Sequence, residues 1–358
     1  MAITYDHREL LQALPWTDIF PPLDAASETI ARFDERMDRN DGVAASVASR
    51  IHFREACSTL WLEGYLVRLE DLVLHDASSD LGAPTPELFA AAEVLRIRHA
   101  LCRHPPEWPM SEAGLLALIR GSPVETAEVE VPDHCHEVSP HHEEDRLLRS
   151  PPKPTSDGRT LPAAPCSDLT NEHCSEEERV QQWLTTIRAT EDLPAVLAAA
   201  FAWDAWATTK PLQGRDLLEI QLVAALFRYR GKTKFHLPAL NVGMRAAGYR
   251  RSGHDDLPVR LCAFFRAVKA AAEMGLRDLS EVSRAKQRME ERVGGRRRNS
   301  RLPELIQLFL YSPVVTVPLA AKSLRVSPQA VEGMIKTLGP GLLRELTGRA
   351  RNRVWSIR

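Results

Sequence analysis

Polar and basic side chains near the end of the chain have types and spacing suited to contact with nucleic acid. Gln329, Glu332 and Lys336 are separated by three and four residues, so a helix would place them on one face. Such side chains can form hydrogen bonds with base edges in the major groove of DNA. Arginine and lysine can neutralise phosphates. The basic candidates for that role are Arg296, Arg297, Arg298, Arg301, Lys336, Arg349, Arg351 and Arg353.

Three short helical patterns would position these side chains, at Leu302–Tyr311, Val317–Leu324 and Gln329–Leu338. Before the third pattern, Ser327 can cap a helix and Pro328 can occupy its first position. Two helices joined by a tight turn are typical of a helix-turn-helix, whose second helix enters the major groove.

Two short strands, at 342–346 and 354–357, are predicted around a basic tip, which indicates a winged helix. Residues 275–358 carry 17 basic and seven acidic side chains, an excess of ten positive charges. This excess favours DNA as the partner over the alternative, a winged-helix protein-interaction module with a solvated basic surface.

The composition of the whole chain excludes several classes of protein. Its 358 residues allow two or three domains, and no apolar stretch reaches the roughly 18 residues that a membrane span needs. The first residues, MAITYDHRELLQ, carry charges where a signal peptide is apolar, and six cysteines do not form a dense disulfide framework. We therefore expect a reduced, cytoplasmic protein without a membrane partner.

Helical periodicity divides the chain into four predicted parts of a mainly α protein. An N-terminal helical domain at 1–122 contains a helix start at Thr85 and Pro86, and a second helical domain covers 179–293. Between them, 123–178 is rich in proline and has 14 acidic against four basic residues, which predicts a disordered linker. The winged helix-turn-helix occupies 294–358. The His and Cys residues of the linker lack the paired spacing of zinc ligands, so no metal site is predicted.

Two regions resemble bacterial Fic-family proteins. LIQLFLYSPVVTV at 305–317, with 320–327 and 342–355, is similar to the winged-helix tail that many of them carry. REACSTLWLEGYLVRLEDL at 54–72 resembles their inhibitory helix, with Thr59, Glu63 and Gly64 matching its motif. The combination also resembles rhizobial, often plasmid-borne proteins of unknown function that have a helix-turn-helix tail. The resemblance implies a Fic-like helical core before the winged helix.

The resemblance also implies an activity, which the residues of this chain do not support. Active Fic enzymes transfer AMP from ATP to a protein hydroxyl, using a His base and a Gly-rich, arginine-containing turn at a helix start. Here Lys210 stands in place of the base, and a protonated lysine is a poor base at neutral pH. Leu218 or Glu219 stands in place of the second arginine. We therefore predict no catalytic residues, and a residual anion site formed by Lys210, Gly214 and Arg215.

These observations together predict a transcriptional regulator that binds double-stranded DNA as a homodimer. The degenerate Fic-like core would serve dimerisation or ligand sensing, and no cofactor is expected beyond an ATP or other nucleotide at the anion site. The alternatives are a divergent Fic-type nucleotidyl or phosphoryl transferase that acts on a protein, and a protein-interaction scaffold.

Overall fold

The computed structural model describes residues 7–77, 83–120, 175–212, 216–249, 255–294, 301–346 and 353–358. Most of the predicted acidic linker, residues 123–174, lies outside these ranges. The described part of the chain is mainly helical, which confirms the predicted fold class. No helix among the described residues has the length and apolar character needed to cross a bilayer.

The N-terminal helices are α1 His7–Ala13, α2 Trp16–Asp38, α3 Asp41–Leu62, α4 Leu69–Asp76, α5 Pro86–Arg103 and α6 Glu112–Arg120. The next five are α7 Glu176–Ala189, α8 Ala195–Thr209, α9 Asp216–Tyr229, α10 Leu240–Ala246 and α11 Leu257–Val293. The C-terminal elements are α12 Leu302–Tyr311, β1 Val315–Thr316, α13 Val317–Leu324, α14 Pro328–Leu338, β2 Leu343–Glu345 and β3 Val354–Ile357.

Local sequence signals set several helix starts. Thr85 accepts a hydrogen bond from the Leu88 amide, and Pro86 is the first residue of α5, as predicted. Ser175 and Glu178 form a reciprocal capping box, so α7 begins at Glu176, three residues before the predicted domain boundary. The Ser-x-x-Glu spacing of this box is the sequence signal that identifies the earlier start.

A glycine lies between helices α3 and α4. Gly64 follows α3 and has a φ of +88°, a left-handed backbone conformation that glycine adopts without a steric penalty from a Cβ. The chain therefore leaves α3 and begins α4 in a new direction at Leu69.

The helices on both sides of the acidic segment share one hydrophobic core. Helices α2 and α11 run side by side, with the ring of Phe33 against Gly275 and the Cys262 thiol 3.8 Å from the Asp18 carbonyl oxygen. The same cluster includes the side chains of Trp183, Trp203 and Trp206, all of which are buried. The predicted domain boundaries stay a prediction.

A buried arginine connects three helices and a loop. The Arg98 guanidinium on α5 donates to the carbonyl oxygens of Leu237 and Pro238, at 2.8 and 3.2 Å, and to Gln221 Oε1 on α9, at 2.8 Å. It also donates to His52 Nδ1 on α3, at 3.1 Å. These four hydrogen bonds of the Arg98 guanidinium are therefore all made inside the core.

A buried carboxyl group lies in the same region. The two oxygens of Glu55 on α3 accept the backbone amides of Asn241 and Val242 at the start of α10, each at 2.9 Å. Burial raises the pKa of Glu55, and the positive charge of Arg98 and these amides oppose that shift. The two charged groups thus depend on each other, although they lie on different helices.

Two buried histidines, His52 and His236, and the half-buried His99 make the stability of the fold depend on pH. Burial lowers the pKa of His52 well below its ordinary value, that of His99 to about 4, and that of His236 despite its hydrogen bond with Asp34. These imidazoles are neutral in the folded protein near neutral pH, whereas the unfolded chain binds protons below about pH 6.5. The stability that these three groups contribute is therefore fully present above about pH 6.5 and is lost as the pH falls below it.

We expect His99→Gln to weaken this acid sensitivity. Between pH 7.5 and 5.0 the variant should lose about 1–2 kcal/mol less free energy of unfolding than the wild type, because one group with a lowered pKa is gone. Urea unfolding at the two pH values measures the difference. An identical loss in both proteins would contradict the assignment.

The C-terminal helices pack with a small antiparallel sheet. Its strand order is β1-β3-β2, with Val315 opposite Trp355, and Trp355 opposite Glu345 on the other side. This group of elements contacts the helical core through α3 and α11. The Arg50 guanidinium on α3 donates to the carbonyl oxygens of Phe309, Leu310 and Ser312 at the end of α12, at 3.2, 3.3 and 2.9 Å.

Arg50 remains a cation in this position. Burial lowers its pKa to about 10, still well above neutrality. A positive charge at the C-terminus of α12 complements the helix dipole and satisfies carbonyl groups that have no partner inside the helix. The contact therefore attaches the C-terminal elements firmly to α3.

Candidate nucleic-acid interface

Helix α14 is formed by the residues that the sequence analysis selected for its start. Arg325 ends α13 in a left-handed conformation, with a φ of +53°. Ser327 Oγ accepts the Ala330 amide at 3.2 Å, and Pro328 occupies the first turn. Two helices therefore meet at a tight turn, which is the arrangement of a helix-turn-helix.

One side of α14 faces the protein and the other faces solvent. Val331 and Leu338 are buried, and they anchor the helix against the core of the C-terminal elements. Gln329, Glu332 and Lys336 are all exposed, so the structure places the three predicted base-contacting residues together on the free side. Their role in reading bases stays a prediction.

Some of the predicted phosphate-binding residues lie among the described residues and others do not. Arg353 directly precedes β3, and its guanidinium lies 3.6 Å from the Glu345 carboxylate, while Arg301 pairs with Glu304 at 3.1 Å. The other predicted phosphate-binding residues, Arg296, Arg297, Arg298, Arg349 and Arg351, lie outside the described residues.

Two exposed arginines in this region were not assigned a role from the sequence. Arg325 lies in the turn before α14, and Arg344 lies on β2. Both contribute to the excess of positive charge in the C-terminal segment. Their positions depend on the turn and on the strand pairing, which spacing along the chain does not supply.

The residues of the inhibitory-motif resemblance occupy the end of α3. Thr59 is buried, and its hydroxyl accepts the Asn241 side-chain amide at 2.9 Å and donates to the Glu55 carbonyl oxygen at 2.8 Å. Glu63 is the exposed residue directly after the helix, and Gly64 adopts the left-handed turn described above. Thr59 therefore has a structural role in the buried polar network.

The predicted anion loop is only partly described. Lys210 ends α8 in a left-handed conformation with a φ of +42°, is exposed, and accepts the Arg179 side chain at its carbonyl oxygen, at 3.1 Å. Gly214 and Arg215 lie outside the described residues. Leu218 and Glu219, which stand in place of the second Fic arginine, are both buried on α9. The described residues contain no cluster of His, Cys, Asp and Glu that could hold a metal ion.

Comparison with known proteins gives two domain matches and one relative over the full length. Residues 169–294 match a family described as a protein of unknown function (DUF1612), and residues 302–357 match a helix-turn-helix (HTH) DNA binding domain. The chain is 33% identical over 379 residues to the uncharacterized protein y4cF of Sinorhizobium fredii, a match that covers 97% of this chain and 99% of that protein.

These matches confirm part of the expected resemblance. A rhizobial relative and a C-terminal HTH DNA-binding domain are both present, while the likeness to Fic proteins stays a prediction. The chain belongs to the family of y4cF and joins a DUF1612 segment to an HTH DNA-binding domain.

Proposed function

We propose that the protein is a transcriptional regulator that binds double-stranded DNA through α14. The observation that carries this proposal is the free face of α14, where Gln329, Glu332 and Lys336 are exposed above a buried anchoring face. Gly333 lies on the same free side, and an added Cβ there would have no neighbour within 4 Å. An exposed helix face of this kind can enter the major groove.

We propose that the β2–β3 hairpin acts as a wing beside this helix. Arg344 is exposed on β2 and Arg353 leads into β3, so basic side chains flank the hairpin at both strands. Contacts of arginine with phosphates would give affinity and orientation, while the side chains of α14 would supply sequence preference.

The helical core would serve dimerisation or ligand sensing in this proposal. Its support is the hydrophobic core shared by α2, α3 and α11, which Arg50 of α3 connects to the end of α12. A Fic-like arrangement is supported by α9, which follows α8 in the chain and donates from Gln221 Nε2 to the hydroxyl of the buried Thr59 on α3, at 3.5 Å. Lys210 in place of the base favours a core without transferase activity. A homodimer would match an operator with two-fold symmetry.

Binding of a fluorescent 30-base-pair duplex of mixed sequence, measured across a KCl series, tests the DNA proposal against a protein-interaction scaffold. We expect log affinity to fall linearly with log salt, because phosphate contacts release counterions. Lys336→Gln should weaken binding and reduce the slope by about 0.9, the value for one phosphate contact. Lys234→Gln, an exposed lysine before α10, is the matched control and should leave the slope unchanged.

The outcomes separate the proposed functions. A slope near zero for the wild type would contradict DNA binding and favour a scaffold. Transfer of label from ATP to a protein by the full-length chain would favour the divergent transferase, and loss of the label in Lys210→Ala would assign it to this site.

A further inference from the structure

Three arginines form a stripe along the last part of α11. Arg284, Arg288 and Arg292 are spaced by four residues, so they follow one another on one side of the helix. All three are exposed, and their Cα atoms span about 12 Å along the helix axis. We call this group the α11 stripe.

The α11 stripe is not neutralised by ion pairs within the described part of the chain. Arg284 and Arg288 donate to backbone oxygens of their own helix, those of Ser280 and Arg284. Among the neighbouring carboxylates, Glu291 accepts a hydrogen bond from Gln287 at 2.9 Å. Guanidinium groups that remain exposed without an Asp or Glu partner are available to an anionic ligand.

The stripe lies beside the C-terminal end of α14. Arg292 Nε is 3.5 Å from the carbonyl oxygen of Thr337, the residue after Lys336. Arg288 Nη2 donates to the Arg358 oxygen at 2.6 Å, at the end of β3. The arginines of α11 therefore adjoin the C-terminal end of α14, although α11 belongs to the DUF1612 match and α14 to the HTH match.

The dimensions of DNA indicate which part of a bound duplex would lie against the α11 stripe. Helix α14 has 11 residues and is about 16 Å long, whereas the major groove is about 12 Å wide. A helix of this length, inclined across the groove, brings one end to the sugar-phosphate backbone. At the C-terminal end of α14, that backbone would run past the α11 stripe.

We propose that the α11 stripe binds DNA phosphates, so that the DUF1612 segment supplies part of the DNA-binding surface. This inference rests on the proposed function. It assigns to α11 a positioning contact that carries no base recognition, since phosphates are the same at every sequence.

The test compares the full-length wild type with Arg284→Gln/Arg288→Gln/Arg292→Gln on a fluorescent 30-base-pair duplex of mixed sequence, from 50 to 200 mM KCl. Three lost phosphate contacts reduce the slope of log affinity against log salt by about 2.7. Raising KCl from 50 to 200 mM lowers the affinity by some factor, and this factor should be about 40 times smaller for the variant than for the wild type.

A control variant with the same change in charge is Arg188→Gln/Arg266→Gln/Lys269→Gln. These side chains are exposed, and Arg266 lies about 27 Å before Arg284 along α11. The control should keep the wild-type slope. A lysine variant of the stripe, Arg284→Lys/Arg288→Lys/Arg292→Lys, should recover most of the slope because phosphates require only positive charge.

Each outcome decides between the proposals. A wild type that does not bind the duplex would overturn both the function and the stripe. A salt-dependent wild type whose slope is unchanged in the glutamine variant would overturn the stripe alone. Weaker binding with an unchanged slope and a lower thermal midpoint would assign the arginines to the stability of the α11–α14 contact.

Discussion

Arg98→Met should lower the free energy of unfolding by about 3–5 kcal/mol, the range measured when one member of a buried charged network is removed. Methionine fills a similar volume but donates no hydrogen bond. The variant therefore leaves the carbonyl groups of Leu237 and Pro238 without their donor, and leaves Glu55 without the nearby positive charge. Chemical unfolding in urea, followed by circular dichroism, measures the change.

Arg96→Met is the matched control, two residues away on the same helix. Arg96 pairs with Glu93 at 2.5 Å where both side chains are partly exposed, at 34% and 42%. Because exposed ion pairs contribute about 0–1 kcal/mol, the control should lose no more than that. Equal losses in the two variants would contradict the importance of the buried network.

Gly243→Val should destabilise the protein by about 3 kcal/mol or more, at the upper end of the cost of overpacking a core. Gly243 lies on α10, where its backbone packs directly against α11. A Cβ at this position would lie 2.0 Å from the Ala267 carbonyl oxygen and 2.9 Å from the Ala271 side chain. The first contact is with helix backbone, which cannot rotate away, so the two helices would have to separate.

The control for this change is Ala246→Val, at the exposed end of α10. It adds the same kind of branched side chain to the same helix, but into solvent, and should cost at most about 0.5–1 kcal/mol of helix propensity. Thermal unfolding of the two variants gives the comparison. A midpoint for Gly243→Val within a degree of the control would show that α10 and α11 tolerate separation.

The C-terminal elements were the most predictable part of the fold because their signals are local. The bounds of α12 and α13 match the predicted helices, and Ser327 and Pro328 start α14 as expected from capping rules. The two predicted strands also occur, at β2 and β3. Strand β1 was missed, because two residues, Val315 and Thr316, are too short to show an alternating pattern.

The packing of the helical core was much less predictable. Periodicity shows that a helix has an apolar face, but it does not identify the helix that covers that face. The network of Arg98 joins residues separated by up to 140 positions, so no spacing along the chain indicates it. Glu55 likewise reads as an ordinary helix carboxylate until the start of α10 is known to lie beside it.

Part of the candidate site could be predicted from local sequence signals, and part depends on contacts between distant residues. The free face of α14 follows from residue spacing once the helix is recognised, so Gln329, Glu332 and Lys336 could be selected from the sequence. The α11 stripe could not be assigned to this surface from the sequence, because its position beside α14 depends on the contact of Arg292 with Thr337, 45 residues away. The motif around Thr59 was recognised by resemblance, while the hydrogen bond of Thr59 with Asn241 required the structure.

The contact of Arg50 with the end of α12 has a consequence for the DNA sequences that a dimer could recognise. Three hydrogen bonds from Arg50 hold the end of α12 on α3, so this contact fixes where the HTH domain sits on the helical core. In a two-fold dimer, the distance and the angle between the two α14 helices would then be set by the helical core. The number of base pairs between operator half-sites would accordingly be a property of the core, and relatives that differ there would select different spacings with the same half-site.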